Sequence, residues 1–173
     1  MKKTGWRDAK ASTFGNIPAG AYVCEIKSVT DVPDREYLLI EYDIAEGDYI
    51  GCFSERAERW DSWPSGGKMY WSYKQSALGM FKARIQAVEK SNTGYAFNDD
   101  ENTLVGKRVG LVLCEEEYRN NSGDVSTRIK ADRAVPVEDV PKTAAPAIRR
   151  LKEESKTPVG GFTEVDDDGD LPF

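Results

Sequence analysis

From Tyr37 to Ile44 every second residue is large and apolar: Leu38, Ile40, Tyr42 and Ile44 share one face, with Glu41 and Asp43 on the other. Successive side chains of a strand point to opposite sides, so this stretch is a half-buried β-strand and cannot bury the same residues as a helix. The alternation recurs in Tyr22, Cys24 and Ile26, interleaved with Val23, Glu25 and Lys27 after the turn-like Ile17-Pro18-Ala19-Gly20. Asp31-Val32-Pro33-Asp34 separates these two strands. Gly47-Asp48 reads as a tight turn leading into a third strand, Tyr49-Ile50-Gly51-Cys52-Phe53, as the partner of a hairpin.

Residues 54–68 have the composition of a loop, and Met69 to Lys74 reads as a short aromatic strand or extended piece. Ser76 is placed to cap a helix whose apolar positions Leu78, Phe81, Ile85 and Val88 fall at helical spacing. That helix ends near Ser91-Asn92, with Gly94 just beyond. Val105 to Leu113 and Val125 to Val137 then form two strands joined through Asn120-Asn121-Ser122-Gly123. Three strands, a helix and two strands is the element order of an OB-fold, so the expected architecture is mainly β, a five-stranded OB-fold-like barrel with its helix between strands three and four. The barrel is expected over 17–140, after a flexible segment at 1–16. Residues 141–173 are expected to be a linker and an acidic tail, with one short charged helix at 147–156.

The composition narrows the chemistry. The 173 residues are 39% apolar and 31% charged, and include no histidine. Histidine acid–base chemistry and Ser-His or Cys-His nucleophile pairs are therefore ruled out. Cys24, Cys52 and Cys114 are too dispersed for a structural zinc site and each lies in an apolar stretch, as small buried hydrophobes do. Gly66-Gly67-Lys68 is followed by Met69 and Gly106-Lys107 by Arg108, so neither is a phosphate loop. No catalytic residue, metal or cofactor is expected. No apolar run is long enough for a membrane helix, and the basic start, Met1-Lys2-Lys3-Thr4-Gly5-Trp6-Arg7, lacks the apolar stretch of a secretion signal, so a cytoplasmic location is expected.

The formal net charge of −6 is unevenly distributed. Glu164, Asp166, Asp167, Asp168 and Asp170 fall in the last ten residues. From Phe53 to Lys90, Arg56, Arg59, Lys68, Lys74, Lys82, Arg84 and Lys90 outnumber Glu55, Glu58, Asp61 and Glu89. Such a strip is sufficient for a groove that tracks a phosphate backbone.

The chain ends Asp166-Asp167-Asp168-Gly169-Asp170-Leu171-Pro172-Phe173. An acidic run closing on Asp-Leu-Pro-Phe resembles the tip of bacterial and phage single-stranded DNA-binding proteins. In the body of the chain, Phe81-Lys82, Ser91-Asn92, Gly94-Tyr95, Leu104-Val105-Gly106-Lys107, Val109-Gly110 and Glu115-Glu116-Glu117-Tyr118 resemble small phage proteins of Gram-positive hosts, encoded among replication and recombination genes. The resemblance implies an OB-fold single-strand binder in the host cytoplasm. It also implies a tip, Asp168, Asp170, Leu171, Pro172 and Phe173, that recruits replication or recombination proteins. Phe173 joins an aromatic anchor to a carboxylate, and Pro172 limits the freedom lost on docking. Oligomeric state is left open.

Two stretches combine the aromatic faces and cations that single-strand binding requires. The first is Arg56, Arg59, Trp60, Trp63, Lys68, Tyr70, Trp71, Tyr73 and Lys74; within it Met69, Trp71 and Tyr73, at period-2 spacing, read better as core. The second is the last hairpin, with Tyr118, Arg119, Arg128, Lys130 and Arg133. Two other readings compete: a protein-only adaptor or anti-host protein, and a metal-dependent nuclease built on Asp34 and the Glu41-Tyr42-Asp43 strand. The nuclease pattern lacks the cation that should follow Glu41.

Overall fold

The computed structural model describes residues 17–152. They form five strands and two α-helices: β1 (Gly20–Val32), β2 (Tyr37–Ile44), α1 (Cys52–Trp60), β3 (Lys68–Ser72), α2 (Leu78–Ser91), β4 (Arg108–Arg119) and β5 (Val125–Val135). All pairings are antiparallel and give one open sheet in the order β3-β2-β1-β4-β5. Among the described residues no ladder joins the edge strands β3 and β5, so the sheet is not a closed barrel, although the two edges approach each other.

β1 holds the sheet together because it serves two partners. Residues 20–25 pair with β4 and residues 24–32 with β2, with a register shift between Ile26 and Ser28. An irregularity of this kind bends a strand and increases its twist. It carries one continuous sheet around a core of Cys24, Ile26, Leu38, Ile40, Tyr42, Ile44, Met69, Trp71, Leu111 and Leu113. α2 covers this core with Ile85, Ala87 and Val88. Leu78, expected on its buried face, is 41% exposed. α2 has no Ser76 cap; a 3-10 turn at Gln75–Ala77 runs directly into it. The three cysteines are free and buried. Burial, and then the neighbouring Asp43 carboxylate, push the Cys52 thiol up to about 12, far from the thiolate form that reacts.

β2 lies where the alternation placed it, and the third strand of the sheet is the aromatic stretch 68–72. The expected strand Tyr49–Phe53 does not form. Its second half begins α1, a helix inside the stretch expected to be loop. The N-cap of α1 is Gly51, in a left-handed conformation (φ 74°) and without a side chain to cap the helix. Asp43 supplies that cap from β2. Its Oδ1 accepts from the amides of Ile44 (2.8 Å) and Phe53 (3.0 Å), and its Oδ2 from the Ser54 amide (2.9 Å) and hydroxyl. Asp43 is therefore 2% exposed, not on the wet face of its strand as the alternation implied. A negative charge against the first turn also opposes the positive end of the helix dipole.

The region after β5 is ordered further than expected. A 3-10 turn at Val137–Lys142 spans the expected boundary at residue 140. Arg149 then forms a parallel bridge with Glu116. Its amide donates to Glu115 O (2.8 Å), its carbonyl accepts from Glu117 N (2.8 Å), and its guanidinium pairs with Asp132. Residues 147–152 are thus extended, not the start of a helix; residues 153–156 of that expected helix, the expected flexible segment 1–16 and the tail 153–173 lie outside the described residues.

Asp43→Ala should lower unfolding free energy by about 2–4 kcal/mol, from loss of a cap and of several charge-assisted hydrogen bonds. Asp43→Asn, which keeps one acceptor oxygen, should lose less. Denaturant melts give the size, and faster amide exchange at Phe53 and Ser54 would localise the loss to the start of α1.

Candidate nucleic-acid interface

The open seam between β3 and β5 brings the two nominated stretches together. A cleft of about 400 Å³ is lined by Ile17, Phe53, Arg56, Trp60, Ser62, Trp63, Pro64, Ser65 and Gly66 on one side and Thr127, Arg128 and Ile129 on the other. A second recess of about 180 Å³ lies among Ser65, Lys68, Tyr70, Arg128, Ile129 and Lys130. The two share Ser65, Arg128 and Ile129, and so form two stretches of one groove.

Each wall is set by local structure. Tyr42, inside the core, donates its hydroxyl to Gly66 O (2.6 Å) and ties the 65–67 turn to the sheet. That turn requires glycine for want of space. A Cβ on Gly67 would lie 2.6 Å from Trp63 Nε1 and 2.9 Å from Phe53 Cγ, and one on Gly66 3.1 Å from Ile129 O. Trp63 donates its indole N–H to Gly67 O (2.9 Å) and is half-buried. Trp60, on the last turn of α1, is 58% exposed.

The face beyond the groove follows from strand parity. Met69 and Trp71 point into the core, so Lys68, Tyr70 and Ser72 point out. Tyr70 is 53% exposed and makes an edge-to-face contact with Tyr37, ring centroids 5.2 Å apart. Arg84 of α2 donates to Tyr70 O (3.2 Å). Tyr37 is not among the nominated residues, and Arg84 enters the sequence reading only as part of the basic strip. The signal for Tyr37 is present in the sequence, as an aromatic at the odd position of an alternating strand, opposite to Leu38.

Three of the groove's cations are held by carboxylates. Glu116 accepts from Arg128 (2.9 Å to Nε) and lies 3.7 Å from the Lys130 ammonium; Lys68 is 3.5 Å from Glu41. The Arg128 guanidinium also lies over the Tyr118 ring, 4.9 Å from its centre. Burial alone would raise the Glu116 carboxyl. The hydrogen bond from Arg128 and the charges of Lys130, Arg128 and Arg149 together outweigh it and hold the carboxyl below its ordinary value.

Of the residues nominated from sequence, Arg56, Trp60, Trp63, Lys68, Tyr70, Arg128 and Lys130 line this groove, and Tyr118 supports it through Arg128. Arg59 is exposed on α1 but does not line it. Trp71 is fully buried and has no face open to a base. Tyr73 donates its hydroxyl to Asp31 (2.7 Å), a bond that pushes the phenol up to about 12, in a separate pocket with Asp99 and Glu101. Lys74 follows at the start of the 3-10 turn, and Arg119 is engaged with Gly123 O at the hairpin tip (3.2 Å). Arg133, further along β5, lies 3.4 Å from the Asp132 carboxylate. Asp168, Asp170, Leu171, Pro172 and Phe173 lie outside the described residues. Among the described residues no group of three or more His, Cys, Asp or Glu is arranged to hold a metal, and no helix is long and apolar enough to cross a membrane. Asp43, the last acid of the nuclease-like strand, is committed to the α1 cap.

Comparison of the sequence with protein-family models and with curated proteins returns no match.

The depressed Glu116 carboxyl sets the sign of a pH effect. Its stabilising contribution is complete above its unfolded value and is lost as pH falls through its lower folded value. Glu116→Gln should therefore be less stable than the parent at neutral pH, with the gap closing in acid. Urea midpoints measured across that range test this, and a gap that widens in acid would contradict it.

Proposed function

We infer that this chain binds single-stranded DNA along the β3–β5 groove with little sequence preference, and recruits replication or recombination proteins through its C-terminal tip. One observation carries the binding half: the fold gathers Trp60, Trp63 and Tyr70 with Arg56, Lys68, Arg128 and Lys130 along one groove from stretches more than fifty residues apart. Aromatic faces take bases of any identity and cations follow the backbone, which is the combination that sequence-tolerant single-strand binding uses. A duplex hides its base faces, so these rings would have no partner there.

The strand order supports reading the sheet as a partly open OB-fold. A five-stranded Greek-key barrel of that kind joins β1 to both β2 and β4, follows β2 with β3 and β4 with β5, and brings β3 beside β5. The first four relations are ladders here, α2 lies between β3 and β4, and β3 faces β5 across the groove. OB-folds bind oligonucleotides on the β2–β3 face and its flanking loops, the face that carries Tyr37 and Tyr70. The recruiting half rests on the terminal Asp-Leu-Pro-Phe and its resemblance to single-strand-binder tips.

Affinity for oligo-dT should fall steeply as salt rises from roughly 50 to 200 mM, and duplex should bind more weakly. Trp60→Ala should cost about 1–3 kcal/mol of binding while leaving the melting temperature unchanged. Trp63→Ala should weaken both binding and fold, because its indole anchors Gly67. Binding that ignores salt, or prefers duplex, would turn the groove over to a protein ligand and favour the adaptor reading.

Deleting 164–173 should tighten DNA binding, most at low salt, where the five carboxylates there compete best for the groove. Deleting Phe173 alone should leave DNA affinity unchanged and abolish pull-down of a helicase, recombinase or nuclease partner. If every partner interaction survives that deletion, the recruiting role is wrong.

A further inference from the structure

We propose that the pocket between the first turn of α2 and the β1–β2 turn is a separate docking site, which takes a peptide segment of a partner protein that presents one large apolar side chain flanked by Lys or Arg. The inference does not depend on the DNA-binding role. The pocket measures about 320 Å³ and shares no residue with the groove. It is open to solvent along one side, so a side chain can enter while the backbone that carries it continues past the rim.

Its walls are apolar and already set. Leu38, Leu78, Phe81 and Phe97 supply them, and Leu78 keeps 41% of its surface exposed there. The Phe81 ring meets Tyr73 edge to face at 6.2 Å and Phe97 at 6.4 Å, which makes a corner of three aromatic rings. The Phe97 amide donates to Glu89 Oε1 (2.9 Å) and ties the loop after α2 back to that helix. A preformed corner of this kind loses little freedom when an apolar anchor fills it.

The rim selects the flanking charges. Asp31, Asp99 and Glu101 stand around the opening, and no Lys or Arg lines it. Among the described residues none of the three carboxylates has a basic partner, whereas Lys68, Arg128 and Lys130 in the groove are matched by acids. The Tyr73 phenol reports the same field: its bond to Asp31 holds its proton, and the charges of Asp31, Glu36 and Glu101 add to that effect. Such a rim repels a phosphate chain, so the pocket is not a continuation of the DNA path. Cations of a peptide meet unmatched carboxylates there, and an arginine can also lie against the face of an aromatic ring.

The probe is the peptide acetyl-Arg-Lys-Phe-Lys-Arg-amide, titrated calorimetrically into the full chain. Its control carries Ser in place of Phe and measures attraction to the acidic tail and to the rim charges alone. The parent chain should bind the probe about tenfold or more tightly than the control, the gain expected from burying one Phe side chain. Leu78→Gln should remove that difference while leaving the thermal melt and oligo-dT affinity unchanged. The pair Asp99→Asn and Glu101→Gln should weaken the probe about fivefold and reduce the salt dependence of its binding; Asn tolerates the left-handed conformation of residue 99 (φ 64°). Equal binding of probe and control by the parent, or a probe affinity that neither variant changes, would overturn the proposal. It would also be overturned if the parent chain self-associates in sedimentation and Leu78→Gln is monomeric, because the pocket would then belong to a second copy.

Discussion

The carboxylate of Asp43 connects the sheet to the helical wall of the groove. It sits at the inner end of β2, buried, and serves a helix whose own N-cap is a glycine with nothing to offer. Through its bonds to the Phe53 and Ser54 amides it fixes where α1 starts. From that start, Phe53 enters the core against Tyr42, Arg56 reaches the groove one turn later and Trp60 emerges at the far end. The run Glu55-Arg56-Ala57-Glu58-Arg59 favours a helix, but a helix this short is marginal without a tertiary contact to hold its first turn. A buried charge is tolerable here because both oxygens are satisfied by donors at the positive end of a helix.

The electrostatics of the groove follow a related logic. Lys68, Arg128 and Lys130 are held in place by Glu41 and Glu116 instead of extending freely into water. Exposed pairs of this kind add little stability, but they keep long side chains aligned along one seam. A monovalent anion gains little by displacing one carboxylate partner. A polyanion that engages several cations together gains at each step, so an arrangement of matched charges still discriminates in favour of polymers.

Much of the sheet was legible because its signals are local. β2, the core parity of Met69 and Trp71, the Asn120–Gly123 turn and α2 each carry their pattern within a dozen residues. α1 was not legible, because its cap comes from another strand, and because Tyr49-Ile50 beside a glycine turn has strand-like composition. Ser76 was a plausible cap displaced by a 3-10 turn, and the extended Arg149 owes its conformation to an unoccupied stretch of β4 that no local pattern announces. The site was legible as composition in two separate stretches; their meeting depends on β3 and β5 approaching each other, a non-local consequence of the bend in β1. Tyr37 lies at an outward position of β2, where the alternation that marks the buried face carries no signal.

The seam that leaves the sheet open has a consequence beyond ligand binding. Each of its two edge strands presents backbone donors and acceptors that no neighbouring strand among the described residues satisfies, the kind of margin along which one protein molecule can add to another and begin an aggregate. Lys68 on one margin and Arg128 and Lys130 on the other place like charges where a second copy would have to align. The same three side chains are thus suited to keep the open margins of one molecule from pairing with those of another, a local safeguard independent of the chain's net charge.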